Sequence, residues 1–233
     1  MVLISPRDAE ALRKRFAAEL QDPVDLWVFT QALNCPTCPT ALQIAQELGA
    51  LTDKVRVVEK NPLIDVEDAR GLDTSMVPAF VLRSGQSDGR IRYYGLPSGY
   101  EFTVLVETLV ALSRRESLLE PELVERLQAL TAPMTLRVFV TPTCPYCPQM
   151  AFLAYQIAMV RPNVTAEVIE ASEFPEVSTR YQVRAVPRTV VNDRFVVEGA
   201  VPPEMFIEGL LELQAVAPES DPPGPGRIII PGR

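Results

Sequence analysis

Two four-residue motifs, Cys35-Pro36-Thr37-Cys38 and Cys144-Pro145-Tyr146-Cys147, stand 109 residues apart, and so do the dipeptides Val77-Pro78 and Val186-Pro187. Two unrelated features that recur at one offset are most simply explained by duplication of a single ancestral unit. The flanks agree, because Leu26-Trp27-Val28-Phe29 leads into the first motif as Leu136-Arg137-Val138-Phe139 leads into the second, with one residue fewer in the second connection. The chain has 233 residues, so each half is about the length of one small domain. We expect a first unit over 1–117, a second over 118–216, and a Pro/Gly-rich tail over 217–233.

Hydrophobic periodicity gives each half the order helix, strand, Cys-bearing helix, strand, helix, hairpin, helix. Leu12, Phe16 and Leu20, then Leu123, Leu127 and Leu130, recur at helical spacing and predict opening helices over 6–21 and 120–130, stopped by Pro23 and Pro133. Short runs rich in Val, Leu and aromatics predict strands over 25–30 and 135–140, with second strands over 54–59 and 164–170. After each Val-Pro comes a hairpin, 79–82 with 91–94 and 188–191 with 195–197. Asn192-Asp193 makes the second turn tight, whereas 83–89 reads as a looser connection. Closing helices are expected over 100–115 and 203–216. Strands separated by helices imply an α/β fold in which each unit has a central sheet flanked by helices. The tail from 217 to 226 reads as mobile, with docking of Ile228-Ile229-Ile230 on a sheet edge or a partner as the lesser expectation.

Composition narrows the chemistry. The chain carries 30 acidic and 22 basic residues, a net charge of −8, which offers no electrostatic footprint for nucleic acid. Its apolar stretches fall short of a bilayer span, and charges occupy the opening segment where a secretory apolar core would sit. No nucleic acid, no membrane and a cytoplasmic location are therefore expected. Histidine is absent, which removes Ser-His and Cys-His nucleophile pairs and the His-containing zinc sites together.

What remains are the four cysteines, all of them in the two motifs. A strand that ends at Cys and runs into a helix opening with Pro36 or Pro145 places the first sulfur at a helix N-terminus, since Pro is favoured where its missing N–H costs nothing. The electron-poor helix end favours thiolate over thiol and lowers the cysteine pKa from ~8.5 toward neutrality. Three residues on, the second cysteine lies within disulfide reach of the first. Cys35 and Cys144 are the expected nucleophiles, and Cys38 and Cys147 the resolving thiols. Pro39 and Pro148 are expected to kink the helix and set the reactive turn slightly apart. A structural disulfide at this spacing closes too small a loop to stabilise much. Zinc on all four cysteines would need both pairs to converge on one ion, and Pro inside the motif suits a helix start better than a zinc loop. We expect no metal and no cofactor.

These residues resemble the thioredoxin superfamily, specifically the tandem protein disulfide oxidoreductases of thermophiles, which carry two fused thioredoxin-like units with one CxxC each. The similarity covers about 5–216. It rests on the glutaredoxin-type Cys144-Pro-Tyr-Cys147, the two Val-Pro steps, and Tyr93-Tyr-Gly-Leu-Pro-Ser-Gly-Tyr-Glu-Phe102. The resemblance implies two thioredoxin-like units with mixed sheets. It also implies that Pro78 and Pro187 are cis beside their cysteines, with Val77, Pro78, Thr37, Val186, Pro187 and Tyr146 lining the substrate site and pairing strand-like with an extended segment. The sequence departs from the pattern in places. Phe29 and Val138 stand six residues before the first cysteines, where thioredoxin has a buried Asp. Glu59 and Glu170 are the candidate substitutes, read here as solvated strand-end charges. Glu198-Gly199-Ala200-Val201 lacks the second glycine with which glutathione-dependent glutaredoxins hold the tripeptide.

The function expected is thus dithiol-disulfide exchange on protein substrates at two sites, the second being the principal one. Two alternatives stay open: a dedicated electron carrier from a thioredoxin reductase to a peroxiredoxin, and a zinc-bound or redox-silent two-domain scaffold.

Overall fold

The computed structural model describes residues 2–85, 87–215 and 227–228. The chain divides into two compact units, Met1–Pro97 with Leu105–Glu116, and Ser98–Val104 with Ser117–Arg233. The fold is mixed α/β, with helix-flanked sheets in both.

The first unit opens with α1 (Pro6–Glu19), where Pro6 takes an N-terminal position and the Ser5 side chain accepts the Asp8 N–H. Its sheet has the order β2-β1-β3-β4. β1 (Val24–Phe29) runs parallel to β2 (Val55–Lys60) and antiparallel to β3 (Ala79–Ser84), which pairs antiparallel with β4 (Ser87–Tyr94). Alternation in Val-Asp-Leu-Trp-Val-Phe buries Val24, Leu26 and Val28 completely. α2 (Cys38–Gly49) lays Ala41, Ala45 and Leu48 on this sheet, and α3 (Tyr100–Arg114) follows β4.

The second unit contains α4 (Pro121–Leu127), β5 (Met134–Val140), α5 (Cys147–Val160), β6 (Val164–Glu170), α6 (Pro175–Arg180), β7 (Arg188–Val191), β8 (Phe195–Glu198), α7 (Pro203–Ala215) and β9 (Arg227–Ile228). Its strands are ordered β6-β5-β7-β8-β9, with β5 parallel to β6 and antiparallel to β7. β7 and β8 form the tight hairpin, in which Asn192 and Asp193 both adopt positive φ and the Arg194 N–H closes the turn on Val191 O at 3.1 Å.

The structure departs from expectation in several places. The helix expected between the second strand and the hairpin of each half forms only in the second unit, as α6. Residues 61–76 of the first form only turns, with isolated bonds such as Asp65 N–H to Asn61 O at 2.7 Å. The first hairpin is not loose: β3 and β4 extend until Ser84 pairs with Ser87, and an irregularity between Leu82 and Arg83 absorbs the added length. Arg227 and Ile228 pair in parallel with Phe195 and Val196, so the tail docks on β8 there. The expected mobile stretch 217–226 lies outside the described residues. The helices α2 and α5 begin at Cys38 and Cys147, not at Pro36 and Pro145. Pro39 and Pro148 fall in the first turn, where no intrahelical donor is needed, so they cause no interior kink. The reactive turn is still separate, because it precedes the helix.

Candidate active site

Each cysteine pair sits between the end of a sheet strand and the first residue of a buried helix, and each is closed as a disulfide. The Cα separations are 5.4 Å for Cys35–Cys38 and 5.5 Å for Cys144–Cys147. Cys35 and Cys144 are 9% and 8% exposed, Cys38 and Cys147 3% and 0%, so in both pairs the first sulfur-bearing residue is the outer one.

Backbone donors converge on the sulfurs. The Cys147 N–H, first in α5, donates to Cys144 Sγ at 3.1 Å. In the first unit the Gln31 N–H donates to Cys38 Sγ at 3.5 Å, while the Cys38 N–H reaches the Cys35 carbonyl at 3.4 Å. The helix-end donor expected for the first cysteine is thus directed at sulfur in the second unit and at carbonyl oxygen in the first.

Val77-Pro78 and Val186-Pro187 are both cis. Their proline carbonyls are held alike, Pro78 O accepting the Gly95 N–H at 2.8 Å and Pro187 O the Gly199 N–H at 2.9 Å. Val186 O lies 3.7 Å from Cys144 Sγ, which brings the second Val-Pro to its cysteine. Val77 is buried at 8% exposure, Thr37 is half-buried, and Tyr146 is 66% exposed beside the second disulfide.

The two strand-end acids differ. Glu59 is exposed, as expected, and accepts the Thr30 hydroxyl at 3.1 Å. Glu170 is not a solvated charge. It is 2% exposed and accepts the N–H groups of Ser172 and Glu173 at 3.3 and 2.7 Å, capping the turn after β6.

A third acid escapes the sequence reading. Glu101, at the start of α3, is completely buried with neither carboxylate oxygen hydrogen-bonded, and burial alone pushes its pKa up to about 8. Its segment belongs to the second unit and is fastened to the chain entering the second motif. The Tyr100 N–H donates to Pro142 O at 3.1 Å, and Gly99, at φ +58°, approaches that carbonyl so closely that a Cβ would collide with it. The one available signal is its position within Tyr93–Phe102, since an acid in a first helical turn otherwise reads as a dipole partner.

A thioredoxin-domain family model matches residues 134–212, the part that carries the second cysteine pair. The second unit is a thioredoxin-superfamily domain. Among solved structures, the chain is similar over all of its length to a protein disulfide oxidoreductase from Aeropyrum pernix K1, with 25% identity, 98% of that chain covered and a TM-score of 0.84. A C503A mutant of AhpF, the F subunit of alkylhydroperoxide reductase, in Enterococcus faecalis matches 89% of the chain at 25% identity, with 99% of that structure covered and a TM-score of 0.80. The F subunit of alkyl hydroperoxide reductase in Xanthomonas campestris pv. phaseoli is 25% identical over 180 residues, 77% of this chain and 30% of the relative. The chain therefore spans under a third of that relative's length. No described helix is long and apolar enough to cross a membrane.

Proposed function

We propose that this chain is a dithiol-disulfide oxidoreductase acting on protein disulfides through two sites, and that the second is the principal one. The observation that carries the reading is the Cys147 N–H directed at Cys144 Sγ at 3.1 Å. A donor fixed in that place stabilises negative charge on the outer sulfur whether it attacks or leaves. In the reduced protein the Cys144 thiolate attacks a substrate disulfide and forms a mixed disulfide. The Cys147 thiol then loses its proton and displaces the substrate thiolate, leaving the protein pair oxidised and the substrate reduced by two electrons. Cys35 and Cys38 act in the same way. Val77, Pro78 and Thr37 at one site, and Val186, Pro187 and Tyr146 at the other, form the surface that receives the substrate segment. Val186 O beside the reactive sulfur supports this, since an extended segment needs backbone acceptors there. Glu101, protonated at neutral pH, adds a neutral acid to the second unit next to the strand end that carries Cys144. The reading places the chain in the cytoplasm, where both pairs can be kept reducible.

The likeness to the AhpF proteins favours a second, narrower reading, in which the chain carries electrons from a flavin-dependent thioredoxin reductase to a peroxiredoxin. Reduction of insulin disulfides tests the general activity, and NADPH consumption coupled to peroxide in a reconstituted system tests the narrower one. A thiol count before and after dithiol treatment separates both from a zinc-bound or silent scaffold, which would release no new thiols.

A further inference from the structure

Thiol-disulfide exchange is fastest when the sulfur attacked is the one whose partner leaves most easily, and the better leaving group is the thiol of lower pKa. In a CxxC disulfide that partner is the outer cysteine, so chemistry favours attack on the inner sulfur. Burial normally prevents it. At the second site it does: Cys147 is wholly buried and Glu170 is folded inward on its own turn.

The first site is different. A cavity of about 550 Å³ is walled by Thr30, Gln31, Pro39, Glu59 and Asp65 among others, and also by Cys38. Cys35 is not part of its lining. The cavity therefore meets the inner sulfur's residue without including the outer one, the access that displacement of Cys35 from Cys38 requires. Its size lies in the range of small-molecule clefts, too small for a folded partner. Its charge is uneven. The Lys60 ammonium is already engaged by Asp68 at 2.8 Å and Asp65 at 3.5 Å, whereas Glu59 has the Thr30 hydroxyl and no cation among the described contacts.

We propose that the cavity beside Cys38 admits a low-molecular-weight aminothiol, which reduces the first disulfide by attacking the inner sulfur. The thiolate forms a bond to Cys38 Sγ as the Cys35–Cys38 bond breaks, and Cys35 leaves as thiolate. A second aminothiol attacks the small-molecule sulfur of the mixed disulfide, releasing Cys38 as thiolate. The two protons given up by the aminothiols return to the two cysteines. Two small thiols are thereby oxidised to one small disulfide, and the cysteine pair gains two electrons. The ammonium group of the reductant faces Glu59. This deepens the proposed function and rests on the first pair being redox-active.

The test uses the full chain carrying Cys144→Ser and Cys147→Ser, so that only the first disulfide remains. Its reduction is followed with cysteamine and with anionic 2-mercaptoethanesulfonate, compared at equal thiolate concentration. The expected result is a preference for cysteamine of about threefold, the size of one weakly screened charge pair, which Glu59→Gln removes. Leu42 and Ala32 also line the cavity, so Leu42→Trp fills it from α2, and Ala32→Trp fills it from the segment after β1 should the first variant fold poorly. Either should slow cysteamine about tenfold by blocking access while insulin reduction after full reduction by dithiothreitol is unchanged. Equal rates for the two thiols, together with no effect of filling the cavity, would overturn the inner-sulfur route while continued insulin reduction leaves the redox reading intact. Loss of insulin reduction in the unfilled protein would overturn both.

Discussion

The backbone N–H of Cys147 stands 3.1 Å from the sulfur of Cys144, whereas in the first unit the corresponding N–H of Cys38 is directed to a carbonyl. This hydrogen bond is one of the differences between the two repeated sites, and the one that bears on the charge of the outer sulfur. Pairs retained singly should show the difference. In a chain with Cys147→Ser, alkylation of Cys144 across a pH series should titrate below the free-cysteine value of ~8.5, and below Cys35 measured in Cys38→Ser. Equal titration of both at the free value would remove the basis for ranking the sites.

Substitution of the outer cysteines should separate their contributions. Cys144→Ser is expected to abolish most insulin reduction, Cys35→Ser to reduce it less, and the double variant to leave none above background. A wild-type rate in all three would dismiss both sites.

Glu101 gives a pH signature in stability. Its folded pKa of about 8 lies above the ordinary 4.5, so the native state binds the extra proton between those values. The contribution of Glu101 to stability is therefore full below about pH 4.5 and is lost as pH rises through about 8. Glu101→Gln keeps the shape without the charge. It should flatten that slope and raise stability at pH 9 by a few kcal/mol, on the order of 1.4 kcal/mol for each tenfold change in proton affinity. Urea unfolding of the two proteins at pH 5, 7 and 9 measures this, and parallel pH profiles would contradict it.

Gly99 is required by its surroundings. Gly99→Ala places a methyl group against Pro142 O at a φ of +58°, and should cost about 2 kcal/mol. Because the contact braces the strand end before Cys144, thermal unfolding and Cys144 alkylation should shift together. Gly209→Ala, inside α7 where a Cβ meets nothing within 4 Å, should by contrast stabilise the protein by up to about 1 kcal/mol.

Arg137 holds a buried charge. Its Nε donates to Glu167 at 2.8 Å, and it also pairs with Asp193, whose carboxylate accepts the Tyr181 hydroxyl at 2.6 Å. Glu167 is 4% exposed, so Arg137→Ala takes a charged hydrogen-bond donor from a carboxylate held away from water and should cost about 2 kcal/mol. The paired change Arg137→Leu with Glu167→Leu should cost less than the single one, as chemical denaturation would show. Tyr181, its pKa pushed up to about 12 by burial and by the Asp193 hydrogen bond, should ionise at lower pH once Asp193→Asn removes the carboxylate and leaves Arg137 in place, as a phenol absorbance titration would show.

What the sequence disclosed was local. Cys-Pro-x-Cys, Val-Pro and Asn192-Asp193 each specify their own geometry within a few residues, and the repeat told which copies belong together. What it withheld depends on chain segments far apart. Glu170 reads as a surface acid because its burial is decided by the 171–173 turn that folds around it, and no motif signals that Glu101 will be buried. The cavity beside Cys38 arises where residues 61–65 stay in turns instead of forming a helix, a choice that periodicity alone does not make. The extension of β3 and β4 past Gly89 shows the converse, polar residues drawn into a ladder by the pairing next to them.

The strand Arg227–Ile228 has a consequence for how this protein behaves in concentrated solution. An outermost ladder of unpaired amide and carbonyl groups is a template on which another molecule can add a strand. By occupying Phe195 and Val196 from its own C-terminal segment, the chain caps that template itself. Truncation before 227 should expose it, and the shortened protein would then be the one prone to stack into open-ended assemblies.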